Sequence, residues 1–154
     1  LYIKKEKISS IYPLFAAGDP DSTDIRKFES LGTRSFAIEQ SIGHAIDFFN
    51  MIGAERKFER LFRLKKYWTS KVEDHPKVKI ISPLSKEFSG AIACVQVVGK
   101  TSGELADFLF SESKIHAVGI DWENIHGVRI TPNVYTSFRE LDILAQTILK
   151  LADK

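Results

Sequence analysis

A single cysteine in 154 residues leaves no internal disulfide framework, so this fold has to stand on its core and suits a reducing, cytoplasmic compartment. No apolar run approaches the roughly 20 residues that a bilayer span requires. Charge of one sign is lacking too: 22 Lys and Arg face 20 Asp and Glu, for a formal net charge of +2. That balance argues against a dedicated nucleic-acid surface. Reactive motifs are equally scarce. The chain has no Gly-x-Ser-x-Gly elbow, no Walker-type loop and no cysteine pair for zinc. Its four histidines, His44, His75, His116 and His126, form no i,i+4 pair and stand by no carboxylate cluster at metal spacing, so no metal site is expected. Cys94 is centred in Ala91-Ile92-Ala93-Cys94-Val95, where a small buried hydrophobe is expected and a nucleophile is not.

What is present is a globular composition, 44% hydrophobic and 27% charged, long enough for one domain with a real core. Glu6 to Leu14 reads as a short helical piece, and residues 16–31 as a long polar connection of the kind that is functional or lies against another chain. A helix is expected over residues 35–52, apolar on more than one side through Phe36, Ile38, Ile42, Ile46, Phe48, Phe49 and Ile52, and therefore buried on several sides, within its own domain or at an interface. Gly53 interrupts it. A second helix, residues 54–73, carries the stripe Phe58, Leu61, Phe62, Leu64, Trp68 and Val72 on an otherwise basic surface. Strands follow at 78–81 and 91–98, then a helix opened by the capping box Thr101-Ser102-Gly103-Glu104, strands at 115–120 and 128–131, and a last helix opened by Ser137-Phe138-Arg139-Glu140. The order α-α-β-β-α-β-β-α predicts an α/β fold: a two-layer α/β small domain, its mostly antiparallel sheet covered by helices, preceded by a linking helix.

Two segments carry chemistry. In Gly127-Val128-Arg129-Ile130-Thr131-Pro132-Asn133-Val134-Tyr135-Thr136, strand alternation sets Val128 and Ile130 on one face and Arg129 with Thr131 on the other. A guanidinium on a strand can grip a small acid with two parallel hydrogen bonds; the plainer reading is a surface arginine paired with a nearby Asp or Glu. Trp122 and His126 precede this strand and are candidates to line a pocket beside it, against the alternative of a satisfied loop histidine. The second segment, Phe28-Glu29-Ser30-Leu31-Gly32-Thr33-Arg34-Ser35, runs into the first long helix. Gly32 and Thr33 would offer backbone N–H groups, a hydroxyl and the positive end of the helix dipole to a phosphate or carboxylate, although Thr and Ser are also ordinary helix caps.

Taken with Leu1-Tyr2-Ile3-Lys4-Lys5-Glu6-Lys7-Ile8 and Ile52-Gly53-Ala54-Glu55-Arg56-Lys57, these segments resemble the C-terminal part of a fold-type I, class V pyridoxal-phosphate (PLP) aminotransferase, closest to the isopenicillin-N-epimerase-like subgroup. The resemblance implies residues 1–34 as a remnant of an upstream large domain and residues 35–154 as the linking helix plus small domain. It implies PLP as cofactor, a small amino-acid substrate and a homodimer. Gly32 and Thr33 would hold the cofactor phosphate in the partner subunit, Arg129 would hold the substrate α-carboxylate, and Arg34 would be a further pocket residue. Arg34 stands where the cysteine-desulfurase branch has Pro, and residues 117–126 hold no loop cysteine, which speaks against desulfurase chemistry. The family's Schiff-base lysine and the aspartate that partners the pyridine nitrogen belong upstream of Leu1, so this chain alone is expected to be inactive. A PLP-dependent cysteine-lyase-type enzyme and a non-catalytic α/β binding or assembly module remain the alternatives.

Overall fold

The computed structural model describes residues 2–30 and 32–154; Leu1 and Leu31, which belong to two of the motifs above, lie outside them. The chain divides into two compact units, Leu1–Phe48 and Phe49–Lys154, the division falling inside the first long helix.

The first unit is short of regular structure. Lys5–Ser10 and Ile25–Phe28 are 3-10 turns. The second is capped by Asp24, whose carboxylate accepts a hydrogen bond from the Arg26 N–H at 2.9 Å. Lys27 buries its stem and donates from Nζ to the Pro20 carbonyl at 2.9 Å, tying down the polar connection. Helix α1, Phe36–Ile52, forms as its periodicity predicts, and none of its residues is buried within the chain itself, which leaves the interface alternative of the sequence reading. Phe36, Ile38, Ile42 and Met51 are all more than half exposed. Periodicity reports which surfaces a helix needs covered, not whether the same chain supplies the cover.

The second unit holds the remaining elements. Gly53 adopts φ +85°, a left-handed conformation that lets α1 stop and α2, Ala54–Thr69, begin. Strands β1 (Val78–Ile80), β2 (Ala93–Val97), β3 (Val118–Trp122) and β4 (Ile125–Ile130) make one antiparallel sheet in the order β1-β2-β4-β3. Helix α3, Ser102–Ser113, and helix α4, Phe138–Ala152, each start at a full capping box, at Thr101/Glu104 and Ser137/Glu140. Val78, Val95, Val97, Val128 and Ile130 project from one side of the sheet into a core with Leu105 and Leu109 of α3 and Leu144 and Ile148 of α4. Trp68 of α2 closes that core, fully buried, its indole N–H without an acceptor among the described residues. The two-layer α/β domain expected from the sequence is present, with one face of the sheet covered by helices.

Register decides what the other face presents. Ala93↔Ile130, Cys94↔Arg129 and Val95↔Val128 pair β2 with β4; Val118↔Arg129 and Gly119↔Val128 pair β3 with β4. Arg129 therefore sits on an interior strand, hydrogen-bonded into the sheet from both sides, and its side chain leaves the face opposite the helices.

Candidate functional site

Arg129 is exposed and flanked across the sheet by Cys94 and Val118. It makes no ion pair and no side-chain hydrogen bond among the described residues, so the plainer expectation of a surface arginine paired with a neighbouring carboxylate is not realised. Its Cα is pinned by two ladders while its five N–H donors stay free, the arrangement for bidentate capture of a carboxylate. Beside it opens a cleft of about 350 Å³ between the C-terminal end of α3, the end of β4 and the start of α4. Leu141, Leu144 and Ile130, all nearly buried, make its floor; Thr131, Thr136, Lys114 and His116 stand around its sides. Glu140 also lines it, but one of its carboxylate oxygens accepts from the Ser137 N–H at 2.7 Å and the Ser137 hydroxyl at 2.8 Å, which holds its pKa below the ordinary range.

Trp122 and His126 are not part of this cleft. Trp122 pairs with Ile125 at the far end of the β3–β4 hairpin, four residues along β3 from Val118, or about 13 Å at strand rise. His126 is three residues from Arg129 on the same strand, and an odd separation turns it to the helix-covered face. There its Nδ1 lies 3.1 Å from Oδ1 of Asp121. Asp121 also accepts from the Ser102 hydroxyl at the start of α3, and these two partners lower its pKa. His126 is a strand residue satisfied by a neighbouring carboxylate. Lys114 and His116 are the residues that sequence reasoning passed over. The signal for His116 was present: it is two residues before Val118, the cross-strand neighbour of Arg129, and so follows the same alternation.

In the first unit, Gly32 (φ +74°) and Thr33 lie exposed ahead of α1, whose first helical residue is Phe36. Ser35 accepts the first intrahelical bond, from the Glu39 N–H at 3.3 Å, so the Gly-Thr pair precedes the helix cap rather than forming it. The Thr33 hydroxyl makes no hydrogen bond among the described residues. Arg34 is already engaged: its Nε lies 3.3 Å from Glu39 and its Nη2 3.7 Å from Glu29. Glu39 thereby places a carboxylate at the positive end of α1 and neutralises it with Arg34. Of the predicted anion-binding residues, Thr33 keeps its hydroxyl open among the described residues, whereas Arg34 and the positive end of α1 are already met by carboxylates. Cys94, half-buried on the open face beside Arg129, has its thiol pKa pushed up by burial, the opposite of what a nucleophile needs. Among the described residues no group of three or more His, Cys, Asp or Glu is placed to hold a metal ion, and no helix is long and apolar enough to cross a membrane.

No protein-family model matches the chain, and no curated protein matches it by sequence. Solved structures do. A cysteine desulfurase from Escherichia coli is 13% identical over 97% of this chain and 42% of its own, with a TM-score of 0.77. Tryptophan decarboxylase from Catharanthus roseus, determined with L-tryptophan, is 14% identical over 84% of this chain and 29% of its own, with a TM-score of 0.64. Rhodiola rosea 4-hydroxyphenylacetaldehyde synthase is 17% identical over 62% and 22%, with a TM-score of 0.52. The chain thus spans less than half the length of each. At these identities the likeness is one of fold alone: a four-stranded antiparallel sheet under helices.

Proposed function

We propose that this chain is the C-terminal portion of a PLP-dependent enzyme acting on an α-amino acid, of the class V aminotransferase or amino-acid epimerase kind. The fold similarity to a decarboxylase and a desulfurase, both PLP-dependent, supports the cofactor assignment. The observation that carries the reading is Arg129: a cation on an interior strand, on the open face, beside a cleft, with no carboxylate partner among the described residues. Arg129 binds and orients the substrate α-carboxylate. Gly32 and Thr33 contribute to the cofactor phosphate site of a partner subunit, and the exposed apolar side chains of α1 are covered in that homodimer or by an upstream domain. When bound, PLP supplies the electron sink for cleavage of a bond at the substrate Cα. This chain's residues hold the substrate so that the bond to be broken faces that sink, while the aliphatic floor of the cleft excludes water from one side. The lysine that anchors the cofactor belongs to the upstream portion. By itself the chain binds carboxylates without turnover.

The test is Arg129→Ala in the full-length protein. Loss of a charge-assisted carboxylate contact lowers kcat/KM by roughly 2–4 kcal/mol, chiefly through binding. An unchanged kcat/KM removes Arg129 from the site.

A further inference from the structure

Arg129 is not the only basic group around its cleft. Lys114 and His116 stand with it, and the one acidic group among the lining residues, Glu140, spends its carboxylate on the Ser137 cap. Lys114 adopts φ 56° as the C-terminal cap of α3, a left-handed conformation that a non-glycine side chain takes at some cost. Its Nζ rests 5.4 Å from the centroid of the Phe110 ring, a weak contact that leaves its hydrogen-bond donors free. His116 is exposed and makes no hydrogen bond among the described residues. Continuing the β3 alternation back from Val118 sets His116 diagonally across from Arg129, about 7–8 Å away between Cβ atoms. Ile130, Leu141 and Leu144, from the helix-covered side, give the same cleft its aliphatic lining. The cleft thus carries three basic side chains beside an aliphatic lining.

From this juxtaposition we infer that the substrate is an acidic amino acid: Arg129 takes its α-carboxylate, and Lys114 with His116 takes a second anionic group at the end of a short aliphatic chain. The inference deepens the proposed role of Arg129 and rests on it. A monoanionic substrate with an apolar side chain would leave the Lys114 ammonium and the His116 imidazole without a partner, whereas a short dicarboxylate gives them a second anionic group to meet.

Titration of the 154-residue chain with sodium glutarate and sodium butyrate, followed by backbone and Arg129 side-chain amide NMR shifts, tests this without a cofactor. Glutarate binds about fivefold or more tightly than butyrate, as expected of a second partly exposed ion pair, and shifts residues 114–117 as well as 129–132. The double variant Lys114→Asn, His116→Gln brings glutarate down to the affinity of butyrate and leaves butyrate within twofold. Asn is chosen because it tolerates the left-handed backbone at that position. Equal affinities in the parent chain, or a glutarate preference that survives the double variant, overturn the inference while leaving Arg129 in place. If Arg129→Gln leaves both affinities unchanged, the carboxylate role itself fails and the inference falls with it.

Discussion

Gly127 is where the sheet that carries Arg129 is most exposed to a single methyl group. A Cβ added there would lie 2.5 Å from the Val95 carbonyl oxygen and 3.0 Å from both the Val95 carbonyl carbon and Cys94 Sγ. Ordinary contact begins at 3.4 Å, so Gly127→Ala falls about 0.9 Å short of the space it needs. Two of the three obstructing atoms are backbone, and no rotamer change relieves them; strands β2 and β4 must part where Val95 pairs with Val128. Overpacking of this kind costs about 2–3 kcal/mol, of which less than about 1 kcal/mol is recovered from the stiffer unfolded chain. The net expectation is a loss of about 2 kcal/mol. Gly119→Ala on β3 is the control, because its Cβ would meet only Ser102 atoms at 3.4 Å and beyond; its effect stays within about 1 kcal/mol. Urea unfolding followed by Trp68 fluorescence measures both, in a Trp122→Phe background, since Trp68 is 0% and Trp122 69% exposed. A Gly127→Ala variant within 0.5 kcal/mol of its parent, or no less stable than Gly119→Ala, would refute the steric argument.

Three further outcomes are expected. Ser137→Ala removes the cap of α4 and costs about 0.5–2 kcal/mol by urea titration at neutral pH. Because Ser137 lowers the Glu140 pKa through its backbone N–H and hydroxyl, that contribution is complete above the ordinary glutamate range and is lost as pH falls through the depressed folded value. The variant should therefore lose less stability on acidification than its parent, and an unaltered acid slope would contradict the assignment. Cys94 should react slowly with a thiol reagent in the native chain and fast in urea, because burial raises its pKa; rapid native labelling at neutral pH would show an activated thiol instead. Lys65→Met keeps the buried stem but removes an ammonium that donates to the Pro83 carbonyl at 2.7 Å and to the Ser89 hydroxyl. It should cost about 1–3 kcal/mol and speed amide exchange over residues 82–89; unchanged exchange there would mean that the segment is held by something else.

Much of the fold was legible before any coordinates. Thr101/Glu104 and Ser137/Glu140 announced two helix starts, and both boxes close as the spacing requires. The alternation around Arg129 correctly separated it from Val128 and Ile130, because a strand's two faces are set by parity alone. The same rule, applied to His126, would have turned it away from Arg129, but its strand was expected to begin at Val128 rather than Ile125. Glu123, with φ 48°, makes the tight turn that lets Trp122 and Ile125 pair, and a non-glycine residue there gave no turn signal.

The sequence by itself determined the elements, their order, the caps and the face on which Arg129 stands, since each depends on interactions within a few residues. Only the tertiary structure decided that Arg129 lacks a carboxylate partner among the described residues, that Lys114 and His116 share its cleft, and that the apolar flanks of α1 lie exposed. Those depend on which strands pair and in what register, and so on contacts between residues far apart in the chain, which no local period encodes.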